Sequence, residues 1–300
     1  MEVISKFKPE ASASTIKSYA SQLHILQKRF NSNNFDFLND FDKVLAILED
    51  LSDSTRKNYI NSVIVYLQAI DGDVSLISKY QKVRDELSKK YVDAQESGVI
   101  SDKQKNNFAT TEDITSMIKR MKNDLSKSAD LELYQAYMLF NIYLKLPLRN
   151  DVAGMISMKE SDFKKLKDNT KVNYIVVGKS KIDLILNNYK TKKTYGQKII
   201  EVEDQQLKKL LRQFIKRVGF GIMFTQKNGE PMSRNRITQI LIKYSEKYMN
   251  KRVSSTLLAK AYLSGKYSGV PKEIHKEMVK DANVRGHSVG VQQMIYNKSS

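Results

Sequence analysis

Residues 131–151 read LELYQAYMLFNIYLKLPLRND. Leu131, Leu133, Tyr134, Tyr137, Met138, Leu139, Phe140, Ile142, Tyr143 and Leu144 fall on nearly every face of a helix. The spacing therefore predicts a helix over 130–146 that is buried all round. Directly behind it stand Arg149 and Asp151. A long charged side chain after an apolar helix needs a partner. That partner is either Asp151 or backbone, in a structural pairing, or a phosphate, which the planar guanidinium grips with two bonds.

Beyond this helix the period changes. The runs 173–177 (NYIVV), 182–186 (IDLIL) and 198–202 (KIIEV) are short and β-type, which predicts a small three-stranded antiparallel sheet. Helical spacing resumes at 204–217, at 233–248 behind Ser233, and at about 253–264, and the tail 271–297 reads as mostly helical. Before the buried helix, Thr110 or Thr111 caps a helix through Leu125, and 97–110 lose periodicity as a linker would. Residues 12–31, 41–51, 53–70 and 75–96 each show an apolar helical face, with Ser12 or Ser14 capping the first and Ser52-Asp53-Ser54 the third. The expected fold is mainly α. A four-helix domain over 1–98 and a linker over 99–110 precede a mixed α+β domain over 111–300 that carries the three-stranded sheet.

The chain has 300 residues, 51 Lys+Arg against 33 Asp+Glu, and a formal charge of +18. That charge is uneven. Residues 1–100 hold 13 basic and 14 acidic residues, a net of −1, which leaves 38 basic and 19 acidic residues, a net of +19, for 101–300. Such asymmetry points to a domain facing a polyanion, nucleic acid ahead of a membrane surface, since no strongly basic amphipathic helix with exposed aromatics stands out. The bland account is a solubilising lysine coat, supported by 40 Lys to 11 Arg. The absence of cysteine removes disulfides, thiol nucleophiles and thiolate zinc sites. The three histidines, His24, His275 and His287, are far apart, and no apolar run is long enough to span a membrane. The N-terminus lacks the apolar core of a signal peptide.

Two more stretches can carry chemistry. Residues 189–196 (YKTKKTYG) set Lys190, Lys192 and Lys193 between two strands. Such lysines usually form a solvated loop, yet a mobile lysine on a turn can enter a DNA groove and donate a proton. Gly286-His287-Ser288 is followed, nine residues after the histidine, by Tyr296. Tyrosine is a competent covalent nucleophile, though near a chain end it is more often a packing or surface residue.

In this order the pieces resemble the tyrosine recombinase (phage-integrase-like) family. The shared features are an arginine after a buried helix, a lysine in a β-hairpin, Gly-His-Ser, then a tyrosine at the family's spacing. The wording PLRND, YKTKKTYG and RGHSVGVQQMIY looks most like recombinases of large DNA viruses and their mobile elements. The resemblance covers 130–300 by motif and 1–100 by architecture alone, where it implies a core-binding, SAM-like DNA-binding domain. It implies that Tyr296 attacks the scissile phosphate to give a 3′-phosphotyrosyl link. Arg149 would hold non-bridging oxygens, Lys190 would protonate the leaving 5′ oxygen with Lys192 or Lys193 as substitutes, and His287 would bond the phosphate or steer the nucleophile. Asp151 would orient the arginine. It implies no metal, no cofactor, and a homo-oligomer on double-stranded DNA, expected to be a tetramer. Phosphoryl transfer by cationic side chains needs no Mg²⁺, and the covalent link conserves bond energy.

Two departures stand out. The family's second arginine falls in a His/Lys-x-x-Arg motif, and here Thr256 and Ala259 occupy those positions. Loss of one preorganised donor costs about 10²–10³ in rate. Three accounts compete: an introduced alanine that traps a DNA complex, a natural inactive DNA-binding relative, or substitution by Lys260 or Arg252. The intact remaining positions favour the first. The second departure is that only residues 297–300 follow Tyr296, whereas family members often extend a segment that docks on a neighbouring protomer. The rival functions are a non-catalytic DNA-binding protein on the same fold and a type IB topoisomerase-like enzyme.

Overall fold

A computed structural model describes residues 2–96, 102–167, 169–267 and 275–292. The chain divides into two compact units, residues 1–97 and 98–300.

The first unit is helical: α1 (Glu2–Phe7), α2 (Ala13–Arg29), α3 (Phe41–Ala46), α4 (Asp53–Ala69) and α5 (Val74–Glu96), with a 3-10 turn at Asp36–Asn39. Ser12 caps α2 by accepting from the Thr15 N–H at 3.2 Å. Helix α4 packs against α1, α2 and α5, with a core around Leu23, Leu26, Leu38, Leu48, Ile60, Val63 and Tyr80. The Tyr80 hydroxyl donates to the Leu38 carbonyl at 2.9 Å, which satisfies a fully buried polar atom. The four expected helices are present, and α1 joins them.

In the second unit the stretch expected as linker contains a short helix, α6 (Asp102–Asn107). Thr110 then forms a capping box with Asp113 and opens α7 (Thr111–Leu125). Helix α8 (Leu131–Lys145) is the expected buried helix. Ala136, Leu139 and Phe140 are fully enclosed, with α7, α11, α12 and α13 packed about it. Buried Gln135 is satisfied by a pair of bonds to the Thr225 backbone, at 2.7 and 3.1 Å. Pro147 ends the helix: the residue before a proline is driven out of the α region, and Leu146 is extended.

The sheet corrects the sequence reading. It has five strands in the order β4-β3-β2-β1-β5, from β1 (Ile156–Lys159), β2 (Tyr174–Val177), β3 (Ile182–Leu186), β4 (Lys198–Glu201) and β5 (Gly221–Ile222). The three expected strands are the antiparallel β2, β3 and β4, but β1 lies parallel to β2, so the sheet is mixed. Strand β5 has only two residues, and β1 (ISMK) lacks the run of β-branched residues that marked the others. Ser157 also breaks the apolar pattern of β1 while being buried, because its hydroxyl bonds both backbone groups of Gly221 at 3.2 Å.

The remaining helices are α9 (Glu160–Phe163), α10 (Lys192–Tyr195), α11 (Gln205–Val218), α12 (Arg234–Met249), α13 (Ser255–Tyr267), α14 (His275–Arg285) and α15 (Val289–Val291). Ser233 caps α12 through the Arg236 N–H. Of the expected helical tail, 271–274 and 293–297 lie outside the described residues. No helix among the described residues is long and apolar enough to cross a membrane.

Phe214 of α11 is fully buried between Tyr134 and Phe224, with ring centroids 5.1 and 5.6 Å away. Phe214→Ala is expected to lower unfolding free energy by about 3–5 kcal/mol in urea titration, through lost burial plus the cavity left behind.

Candidate active site

The loop after α8 is fixed on both sides. Tyr143 donates to Asn150 Oδ1 at 2.8 Å, and Asn150 Nδ2 donates to the Arg234 carbonyl and to Thr238 Oγ1. Asn173, immediately before β2, donates to the Asp151 carbonyl at 2.8 Å and accepts from the N–H groups of Asn187 and Asn188. The end of the sheet thereby becomes the floor of the Arg149 loop. Arg285, 3% exposed, donates to the carbonyls of Pro147 and Leu148 at 3.3 and 3.0 Å.

Three segments remote in sequence converge on one carbonyl. Gly286 O accepts from Arg149 Nη1 at 3.4 Å and from Thr191 Oγ1 at 3.1 Å. Gly286 follows the last residue of α14 with φ +77°, the left-handed position that closes a helix, and both its N–H and that of His287 bond the Ala282 carbonyl. A Cβ here would meet Thr191 Oγ1 at 2.4 Å and Arg149 Nη1 at 3.2 Å. Only glycine allows both the turn and the approach.

Charge is crowded around this knot. Asp151 is buried and bonds Arg234 at 3.1 Å. Burial raises its carboxyl above the ordinary range, against the pull of Arg234, Arg149 and Arg285. His287 is 7% exposed. Desolvation lowers its imidazole to about 4, with Arg285, Arg149 and Lys198 adding to the push and a bond to the Ser288 carbonyl opposing it. His287 is therefore neutral near pH 7. Its Nδ1 lies 3.0 Å from the Ser288 carbonyl, which can only accept. Nδ1 thus carries the proton, and Nε2 carries the lone pair.

The structure thus brings Arg149, Asp151 and His287 together. Lys190, Lys192 and Lys193 are all exposed on the β3–β4 connection, and Lys192 donates to the Thr170 carbonyl at 3.4 Å. It is Thr191, beside Lys190, that is tied into the cluster. Thr256 is exposed on α13 and Ala259 is 1% exposed within it. Tyr296 lies outside the described residues. Sequence reading missed Arg234, Arg285 and Lys198. Arg234 and Lys198 each open a regular element, a position that suggests only a solvated end. The aromatic pair Tyr189 and Tyr195 beside Lys198 was the one available signal.

Two outcomes follow. Gly286→Ala is expected to cost about 1–3 kcal/mol of stability through its positive φ, and more through the clash with Thr191. The penalty of the added methyl should shrink in a Thr191→Ala background, as read by denaturant titration. By NMR titration His287 should stay neutral to about pH 4. Its folded value lies below its unfolded one, so the stability it contributes is full above about pH 6.5 and declines as pH falls from there toward 4.

The whole chain can be compared with solved structures. The Tn1549 transposon integrase in complex with circular intermediate DNA matches with a TM-score of 0.53 at 16% identity, over 96% of this chain and 95% of that one. The XerH site-specific recombinase, bound to its difH substrate in a pre-cleavage complex, matches with a TM-score of 0.52 at 12% identity, over 97% of this chain and 81% of that one. No family model and no curated protein matches the chain. What these proteins share with the chain is architecture across both units, and the chain has the tyrosine recombinase fold.

Proposed function

We propose that this protein is a site-specific DNA recombinase or integrase that breaks and rejoins strands through Tyr296. The observation that carries the reading is the meeting of Arg149, Thr191 and Gly286-His287 at one carbonyl. An arginine held by backbone and a neutral imidazole stand side by side in a cation-rich cluster. That suits a phosphodiester, whose negative charge must be held while phosphorus is attacked. In the cleavage step the Tyr296 oxygen bonds phosphorus as the P–O5′ bond breaks. The leaving oxygen takes a proton from Lys190, and the phenolic proton passes to His287 Nε2 or to water. Arg149 holds the non-bridging oxygens, and Asp151 with Arg234 keeps the Arg149 loop in place. The excess of basic residues in 101–300 supplies salt-dependent affinity for duplex DNA. The first unit is the DNA core-binding domain, and the active assembly is a tetramer on two DNA segments. The motif wording favours an origin in a large DNA virus or its mobile element.

Ala259 favours a second reading, a DNA-binding protein without strand cleavage. A covalent-capture selection separates the two. The chain and its Ala259→Arg variant are incubated with a random-sequence duplex library bearing single nicks, and SDS-resistant adducts are recovered and sequenced. The expected result is an adduct on a defined sequence, formed faster with the arginine and absent from Tyr296→Phe. Salt-sensitive DNA binding with no adduct from either protein would support the second reading. Relaxation of supercoiled plasmid without sequence preference would instead mark a topoisomerase.

A further inference from the structure

Ala259 leaves the proposed phosphate site one cation short, and the cluster contains a group suited to fill that place. Arg252 is engaged by Glu246 at 2.9 Å. Lys260 projects about 100° from Ala259 around α13. Arg234 is spent on Asp151 and the Asn188 carbonyl, and Arg285 on the carbonyls of Pro147 and Leu148. Lys198 differs from all of these. Its Nζ is buried yet makes no hydrogen bond among the described residues. It lies over the rings of Tyr189 and Tyr195, 5.3 and 4.6 Å from their centroids. Tyr189 in turn stands 3.6 Å from where a Gly286 Cβ would be. Tyr189 thus lies against both the ammonium and the Arg149–Gly286 knot. A desolvated ammonium whose donors go unused is costly, and two π faces compensate only in part. The arrangement becomes favourable when an anion enters.

We propose that Lys198 is the second cation of this site, donating to a non-bridging oxygen of the scissile phosphodiester beside Arg149 and standing in for the arginine absent at position 259. The assignment rests on the strand-cleaving reading above. Burial and the neighbouring Arg149 charge hold the Lys198 amine below the ordinary lysine range, and an anion between the two cations relieves that repulsion. The role is separate from that of Lys190, which is exposed on the connection and delivers the proton.

The test is a four-protein cycle on the nicked duplex recovered by covalent capture: the chain itself, Lys198→Met, Ala259→Arg and the double variant. Methionine keeps the unbranched stem, one atom shorter, and removes the charge, and thermal melting checks that each variant folds. In the Ala259 chain, Lys198→Met should slow adduct formation at least ~100-fold. In the Ala259→Arg background the same change should slow it less than ~10-fold, because one donor then covers for the other. A neutral methylphosphonate at the scissile position should narrow the gap between the chain and its Lys198→Met variant, since no full charge remains to be held. Equal losses in both backgrounds with no methylphosphonate rescue would assign Lys198 a merely structural role and overturn the proposal. Adduct formation indifferent to Lys198→Met would overturn it as well. Absence of adduct from all four proteins would overturn the strand-cleaving reading itself, and this assignment with it.

Discussion

The carbonyl of Gly286 accepts two hydrogen bonds, from Arg149 and from Thr191, and the arrangement of the second unit follows from them. Each donor belongs to a different structural context: the loop that leaves α8, and the connection between β3 and β4. The acceptor closes α14. For these to meet, α8 must stop where it does, which Pro147 enforces, and the end of the sheet must reach the loop, which Asn173 ensures. The left-handed turn at Gly286 aims the carbonyl back into the cluster. A side chain there would push Thr191 and Arg149 apart at once.

The same contact explains the electrostatics. Arg149, Arg234, Arg285 and Lys198 are drawn around a single buried carboxylate, Asp151. One carboxylate does not balance four cations in a medium of low dielectric. Burial first, and that excess second, shows in the groups that can yield: His287 gives up its proton and Lys198 holds its own less tightly. On the proposed function, such a cluster is preorganised for an anion, and the free-energy gain on binding comes partly from relief of repulsion already present.

Much of this was legible in the chain itself. Apolar spacing located α2 to α5 of the first unit and α8, and the β-type runs located β2, β3 and β4. Charge asymmetry pointed to a polyanion, and the order of Arg149, the YKTKKTYG stretch and Gly-His-Ser pointed to a fold. What was not legible depended on tertiary contact. Strand β5 has only two residues, β1 carries a single β-branched residue, and Ser157 looks polar until Gly221 is seen beside it. Lys198 reads as the solvated start of a strand, and only folding lays it over Tyr189 and Tyr195. Arg285 reads as an ordinary cation at a helix C-terminus, whereas its guanidinium is buried against the carbonyls before Arg149. Periodicity reports which face is inside. It does not report which remote segment a buried charge will meet.

The central claim is that the Gly286 knot builds a phosphate site from Arg149 and its neighbours. The most direct measurement is the anomalous difference map of a crystal soaked in tungstate, a tetrahedral oxyanion of phosphate-like shape. The account predicts one dominant peak within hydrogen-bonding reach of the Arg149 guanidinium, on the side shared with Lys198 and His287. A well-occupied tungstate found only elsewhere, for example along the lysines of the β2–β3 turn, would contradict it.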